Sequence, residues 1–113
     1  MRWLILFALM LAACSKGPEA DLQYIKQARS AAAEWALVNE QAQQGTVTGT
    51  YAASMHKWLH DEVHTSLTSL TEPDSPYGDE IAALLQQPDD AAPQALRARS
   101  DNLKKIEDSL ESA

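Results

Sequence analysis

EADLQYIKQARSAAAEWALVNEQAQQG, residues 19–45, decides the fold. The stretch is rich in alanine, glutamate and glutamine, residues that lose little freedom on entering a helix. Glu19 and Asp21 fall in the first turn, where carboxylates meet the positive end of the helix dipole, and Gly45 stands where a helix stop is favoured. Tyr24, Ala28, Ala31, Trp35, Val38 and Ala42 step alternately by four and three, which aligns them as one seam. Leu22, Ile25, Ala32 and Ala36 widen that seam into an apolar face. The spacing predicts one helix from Glu19 to Gln44, nearly 40 Å long at about 1.5 Å per residue.

The same period returns downstream. Val47 and Thr48 read as a start signal, with the Thr48 hydroxyl capping free amides and Val47 folding over Ala52. Tyr51, Met55, Leu59, Val63, Leu67 and Leu70 form a stripe that predicts a second helix to about Leu70 or Thr71, with Trp58 on its border. The connection from Gly45 is short enough to force an antiparallel hairpin. Glu72-Pro73-Asp74-Ser75-Pro76 is a turn, and Ser75-Pro76 reads as the cap and first position of a short helix ending near Gln87. Tyr77, Ile81, Leu84 and Leu85 give that helix a buried side. Pro88-Asp89-Asp90 breaks the chain and Pro93 restarts it. Leu96, Leu103, Ile106 and Leu110 then mark a final helix to about Ser109 or Glu111.

No strand pattern interrupts these periods, so the expectation is an all-α fold: an antiparallel helical bundle of three main helices plus one short helix, over residues 19–113. An alternative, a helical hairpin completing its core against a second copy, is also compatible with the sustained four-three spacing of the first helix. Trp35, Trp58, Tyr24, Tyr51 and Tyr77 each fall on or beside an apolar seam, which assigns them to packing rather than to a ligand box.

Ahead of this domain stands a different kind of sequence. Met1-Arg2 supplies a positive start, Trp3 to Leu11 is an uninterrupted apolar run, and Ala12-Ala13 are small. The run is about half the roughly 20 residues that a spanning helix needs. Leu11-Ala12-Ala13-Cys14 resembles the lipobox of bacterial lipoproteins, in which an apolar residue and two small ones precede an invariant cysteine. The resemblance implies a signal peptide over residues 1–13, cleavage between Ala13 and Cys14, a diacylglycerol on the Cys14 thiol and acylation of its amine. It also implies a place: with Ser15 rather than aspartate after the cysteine, the expected location is the outer membrane, facing the periplasm. Residues 14–18 are then the lipidated cysteine and a tether spanning on the order of 10 Å. This leader is shorter than the usual range of about 15 to 30 residues and carries a single basic residue, and a translation start upstream of Met1 would account for both.

Charge sets the choice of partners. The chain carries a formal charge of -7, and removal of residues 1–13 takes away only one basic side chain, Arg2, leaving the exported domain more acidic still. Such a field repels phosphate backbones and anionic head groups, so nucleic acid is excluded as an expected partner and basic residues contribute nothing to membrane affinity. The acyl chains must supply it, at about 0.8 kcal/mol per buried methylene. Cys14 is the only cysteine, so the domain is not stapled by an internal disulfide.

One constellation has chemical character. His56, His60 and His64 recur at i, i+4 along the second helix, a spacing at which two imidazoles can chelate zinc, copper or nickel, with Asp61 and Glu62 nearby. Each step of four residues also rotates by about 40°, so three histidines form a drifting row. Its plainer reading is a polar flank beside the Met55, Leu59, Val63 stripe, and a third is a pH response through repulsion between protonated rings. The pairs Asp79-Glu80, Asp89-Asp90 and Glu107-Asp108 read as solvated surface carboxylates. The chain has no G-x-S-x-G elbow, glycine-rich phosphate loop or paired-cysteine motif, so an enzyme is not expected. The mature part resembles small helical lipoproteins of Gram-negative bacteria that have no assigned activity. The expected role is a structural or interaction module that meets another envelope protein or its own copy, with metal or small-ligand binding by the histidine row as the alternative.

Overall fold

The computed structural model describes residues 17–112; the expected leader, the expected cleavage site at Ala13 and Cys14, and Cys14 as the expected lipidation site lie outside the described residues. Within them the fold is all-helical: α1 spans Pro18–Gln43, α2 Gly49–Ser69, α3 Pro76–Leu85 and α4 Pro93–Glu111. The ends follow from local chemistry. Proline, whose missing N–H is no loss in the first turn, opens α1, α3 and α4. The Thr48 hydroxyl accepts from the Tyr51 N–H at 3.0 Å, and the Ser75 hydroxyl accepts from the Gly78 N–H at 3.1 Å. At the end of α1 the Thr46 N–H reaches the Gln41 carbonyl and the Gly45 N–H the Ala42 carbonyl. That reversal needs the positive φ of 73° that Gly45 supplies without a Cβ clash.

α1 is the central element. It packs most extensively against α4 and α2, while α3 lies against α2 and α4 and touches α1. Cross-helix pairs give the directions. Asp21 meets Thr71, Gln27 meets Glu62 and Asn39 meets His56, so α2 runs back along α1. Lys26 meets Glu111, Arg29 meets Glu107 and Glu40 meets Arg97, so α4 does the same. Between them Ile25, Ala28, Ala32 and Trp35 of α1 are fully buried with Leu59, Val63, Ile81, Leu84, Leu96 and Leu103. The alanines are what let one helix approach two neighbours closely enough for such packing.

The stripe expected on α2 faces the core from Met55 onward, with Leu59, Val63 and Leu70 buried and Met55 and Leu67 half-buried against them; its first member, Tyr51, does not. The buried line of α2 runs through Ala52, Leu59, Val63, Ser66 and Leu70, while Tyr51 stands 49% exposed and Trp58 51%. α2 must cover α3 as well as α1, so its apolar arc is shared between two directions, and the edge carrying Tyr51 and Trp58 is left in solvent. Trp58 and Tyr51 are therefore not the packing residues that the seam implied. Trp35, Tyr77 and Tyr24 do pack, the first two buried and the third half-buried. Ala42, on the expected seam of α1, is exposed in the last turn.

Candidate functional site

α2 sets His56, His60 and His64 one turn apart, and the tertiary fold divides them. His56 is half-buried, its ring tilted against Trp35 with centroids 6.5 Å apart and its Nε2 2.6 Å from the Asn39 Oδ1. Asn39 donates both amide hydrogens, to the Asp89 carbonyl at 3.0 Å and the Ala91 carbonyl at 2.7 Å. Its Oδ1 is thereby aimed at the histidine, and the hydrogen of that bond sits on Nε2. Trp35 adds an indole N–H to the Asp89 carbonyl at 2.9 Å. These bonds hold α1, α2 and the α3–α4 connection together, beside an open pocket of about 220 Å³ bounded by Asn39, Ala42, Gln43, His56 and Asp90.

His60 and His64 are exposed, Asp61 is exposed beside them, and Glu62 accepts from the Gln27 amide at 2.9 Å. Among the described residues, the three-residue group close enough to share an ion is Glu107, Asp108 and Glu111, not the histidines. Lysine and arginine already neutralise that acidic group. Glu107 takes Arg29 at 2.7 Å and Lys104 at 3.2 Å, Asp108 takes Lys104 at 2.9 Å, and Glu111 takes Lys26 at 3.5 Å. Glu107, which the sequence reads as solvated, is in fact buried. Burial raises its pKa, the bonds from Arg29 and Lys104 outweigh that, and the carboxyl ends below its ordinary value.

A second unexpected group lies where the chain enters the domain. Asp21 reads as a first-turn acid, yet it is fully buried with no cation in an ion pair with it among the described residues. Four donors satisfy it: the Thr71 N–H at 2.8 Å, the Thr71 hydroxyl at 3.0 Å, the Glu72 N–H at 3.1 Å and the Tyr77 hydroxyl at 2.6 Å. The Gly17 N–H also donates to the Thr71 hydroxyl at 2.9 Å. Burial raises the Asp21 pKa, but the bonds from Tyr77, Thr71 and Glu72 bring it below the usual carboxylate value. Burial and the same carboxylate push the Tyr77 hydroxyl well above the ordinary tyrosine range.

The sequence did carry a signal for Asp21 and for Asn39. Asp21 and Asn39 sit in phase with Ile25, Ala28, Ala32 and Trp35, one at each end of the buried line, and a polar residue in phase with a core stripe needs internal partners. The buried Ser66 and Ser100 hydroxyls are bound to the Glu62 and Arg29 carbonyls, which makes them packing groups rather than nucleophiles.

The remaining feature is a notch of about 130 Å³ on the outer side of the α1–α2 seam, lined by Gln27, Ser30, Ala31, Glu34, Trp58 and Glu62. Its exposed indole lies beside two carboxylates, neither of which is in an ion pair among the described residues. No protein-family model, curated protein or solved structure matches this chain.

Proposed function

We propose that the protein is a lipoprotein of the Gram-negative envelope, held by acyl chains on Cys14 in the outer membrane, whose periplasm-facing helical domain is an interaction module rather than an enzyme. The observation that carries this reading is Leu11-Ala12-Ala13-Cys14 directly after the apolar run from Trp3. No helix of the described residues is long and apolar enough to cross a membrane, so any membrane attachment by this domain needs another device. An acyl anchor is that device, and the acidic charge of the domain leaves the acyl chains to supply the affinity. The three long helices are read as an antiparallel bundle around α1, with the short α3 filling the space between α2 and α4.

The Gly17–Thr71–Asp21 junction supports a positional role. Only Ser15 and Lys16 separate Cys14 from Gly17, and Gly17 is hydrogen-bonded to the α2–α3 connection. An anchor attached there holds the domain close to the bilayer and limits its swing, as suits a part that must meet a neighbour in the same membrane. The test is Cys14→Ser in the full chain, followed by palmitate labelling and membrane fractionation. The expected result is an unlabelled precursor that is unprocessed or mislocalised. A variant that is cleaved and fractionates with the outer membrane as the parent does would refute the anchoring.

A further inference from the structure

Taking the domain as an interaction module, we infer that the notch around Trp58 is its docking face, and that the occupant is a basic protein segment that lays an arginine or lysine over the indole. Charge distribution argues for this. The cations of α1 are engaged toward α4, Lys26 with Glu111 and Arg29 with Glu107. On the α2 side, Glu34 and Glu62 flank the indole with no cation opposite them among the described residues. Lys57, the neighbour of Trp58 in sequence, is turned away by about 100° on the helix. An exposed tryptophan sharing a notch with two carboxylates that carry no ion pair among the described residues, Glu62 being bound only by the neutral Gln27 amide, is the arrangement that attracts a guanidinium or ammonium, through the ring quadrupole and through charge together.

The apolar surface around the notch is extended rather than point-like. Tyr51 lies two turns from Trp58 on the same face of α2, about 10 Å away, and the exposed Leu37 stands one turn beyond Glu34 on α1. That spread suits a peptide segment with several side chains rather than a single lipid head group. The notch also begins roughly 15 Å along α1 from the junction at Gly17, and the net negative charge of the domain opposes close approach to anionic lipid. Tryptophan, tyrosine and arginine are the residues that most often dominate binding energy at such faces.

The experiment uses the full-length acylated protein in neutral detergent micelles, with fluorescence anisotropy of a short labelled peptide of alternating arginine and glutamine. A second peptide replaces every arginine by glutamine. Three variants are compared: Trp58→Ala; Glu34→Gln with Glu62→Gln; and Asp74→Asn with Asp79→Asn, which removes equal charge from exposed sites at the α2–α3 end. Each is checked for unchanged helical circular dichroism, and the carboxylate variant reports independently should Trp58→Ala fail to fold. The expected result is a loss of affinity for the arginine peptide of about tenfold in both notch variants and under about twofold in the charge-matched one. Equal loss in all charge variants, or no loss with Trp58→Ala folded, overturns the docking face. Membrane fractionation of the same variants reads the anchoring separately, so a failed docking face leaves the envelope reading standing.

Discussion

Replacing Asp21 by asparagine removes one charge and almost no volume, so it isolates the hub that closes the Gly17 end of the domain. The wild-type carboxylate accepts from four donors and is completely shielded from water. In the variant one oxygen becomes an NH2. The Thr71 and Tyr77 hydroxyls can turn to accept from it, but the backbone N–H groups cannot: Thr71 N–H points at one oxygen position and Glu72 N–H at the other, so in either amide orientation one donor faces another in a buried site. Hydrogen bonds to a charged group contribute about 1.5–3 kcal/mol, and a buried donor left unpaired costs about 1–3 kcal/mol. The two overlap, and a loss of about 3 kcal/mol is expected, which for a domain of this size lowers Tm by roughly 10–20 °C. Thermal and urea unfolding followed by circular dichroism measure it.

The pH dependence supplies the sign. The folded-state pKa of Asp21 lies below the ordinary aspartate value of 3.8, so its contribution is complete above that value and disappears as pH falls through the lower, folded one. The gap between wild type and Asp21→Asn is therefore constant near neutrality and narrows below about pH 4. Glu107, also depressed, is present in both proteins and cancels in the difference. A gap under about 1 kcal/mol at pH 7, or one that does not narrow in acid, would refute the assignment of a buried, hydrogen-bonded carboxylate.

Two further outcomes follow from the same structure. A Cβ at Gly78 would lie 2.1 Å from the Pro73 carbonyl oxygen, so Gly78→Ala should destabilise by about 1–3 kcal/mol despite the gain in helix propensity, and an unchanged urea midpoint would show that the Pro73 turn yields freely. Copper(II) titration monitored by calorimetry should place any uptake by α2 on His60 and His64, because Nε2 of His56 is committed to Asn39. His60→Ala with His64→Ala then removes the heat and His56→Ala does not; the reverse order would mean that the Asn39 bond opens to metal.

Helix positions were legible because each element carries its own start, stop and period. Thr48, Ser75 and the three opening prolines act within a few residues of themselves, and the 3.6-residue repeat is a property of one helix. Which residues edge the α2 stripe was less legible. Tyr51 and Ala52 are neighbours, both fit an apolar stripe, and only the demand that α2 cover α3 as well as α1 buries the smaller residue and exposes the larger. Asp21 and Glu107 were misread for a related reason. Both obey local rules for surface acids, and each is held by a donor far along the chain, Asp21 by Thr71 50 residues away and Glu107 by Arg29 78 residues away.

The candidate site divides along the same line. The apolar run ahead of Cys14, the acidic balance and the one-turn spacing of the three histidines are readable from residue order alone, since composition, net charge and helical period need no partner. That His56 is bonded to Asn39 while His60 and His64 are exposed, and that Trp58 shares a notch with Glu34 and Glu62, could be settled only by packing. The arrangement across two helices depends on how far each is turned about its axis. The summed burial of the whole core sets that angle, and no local signal encodes it.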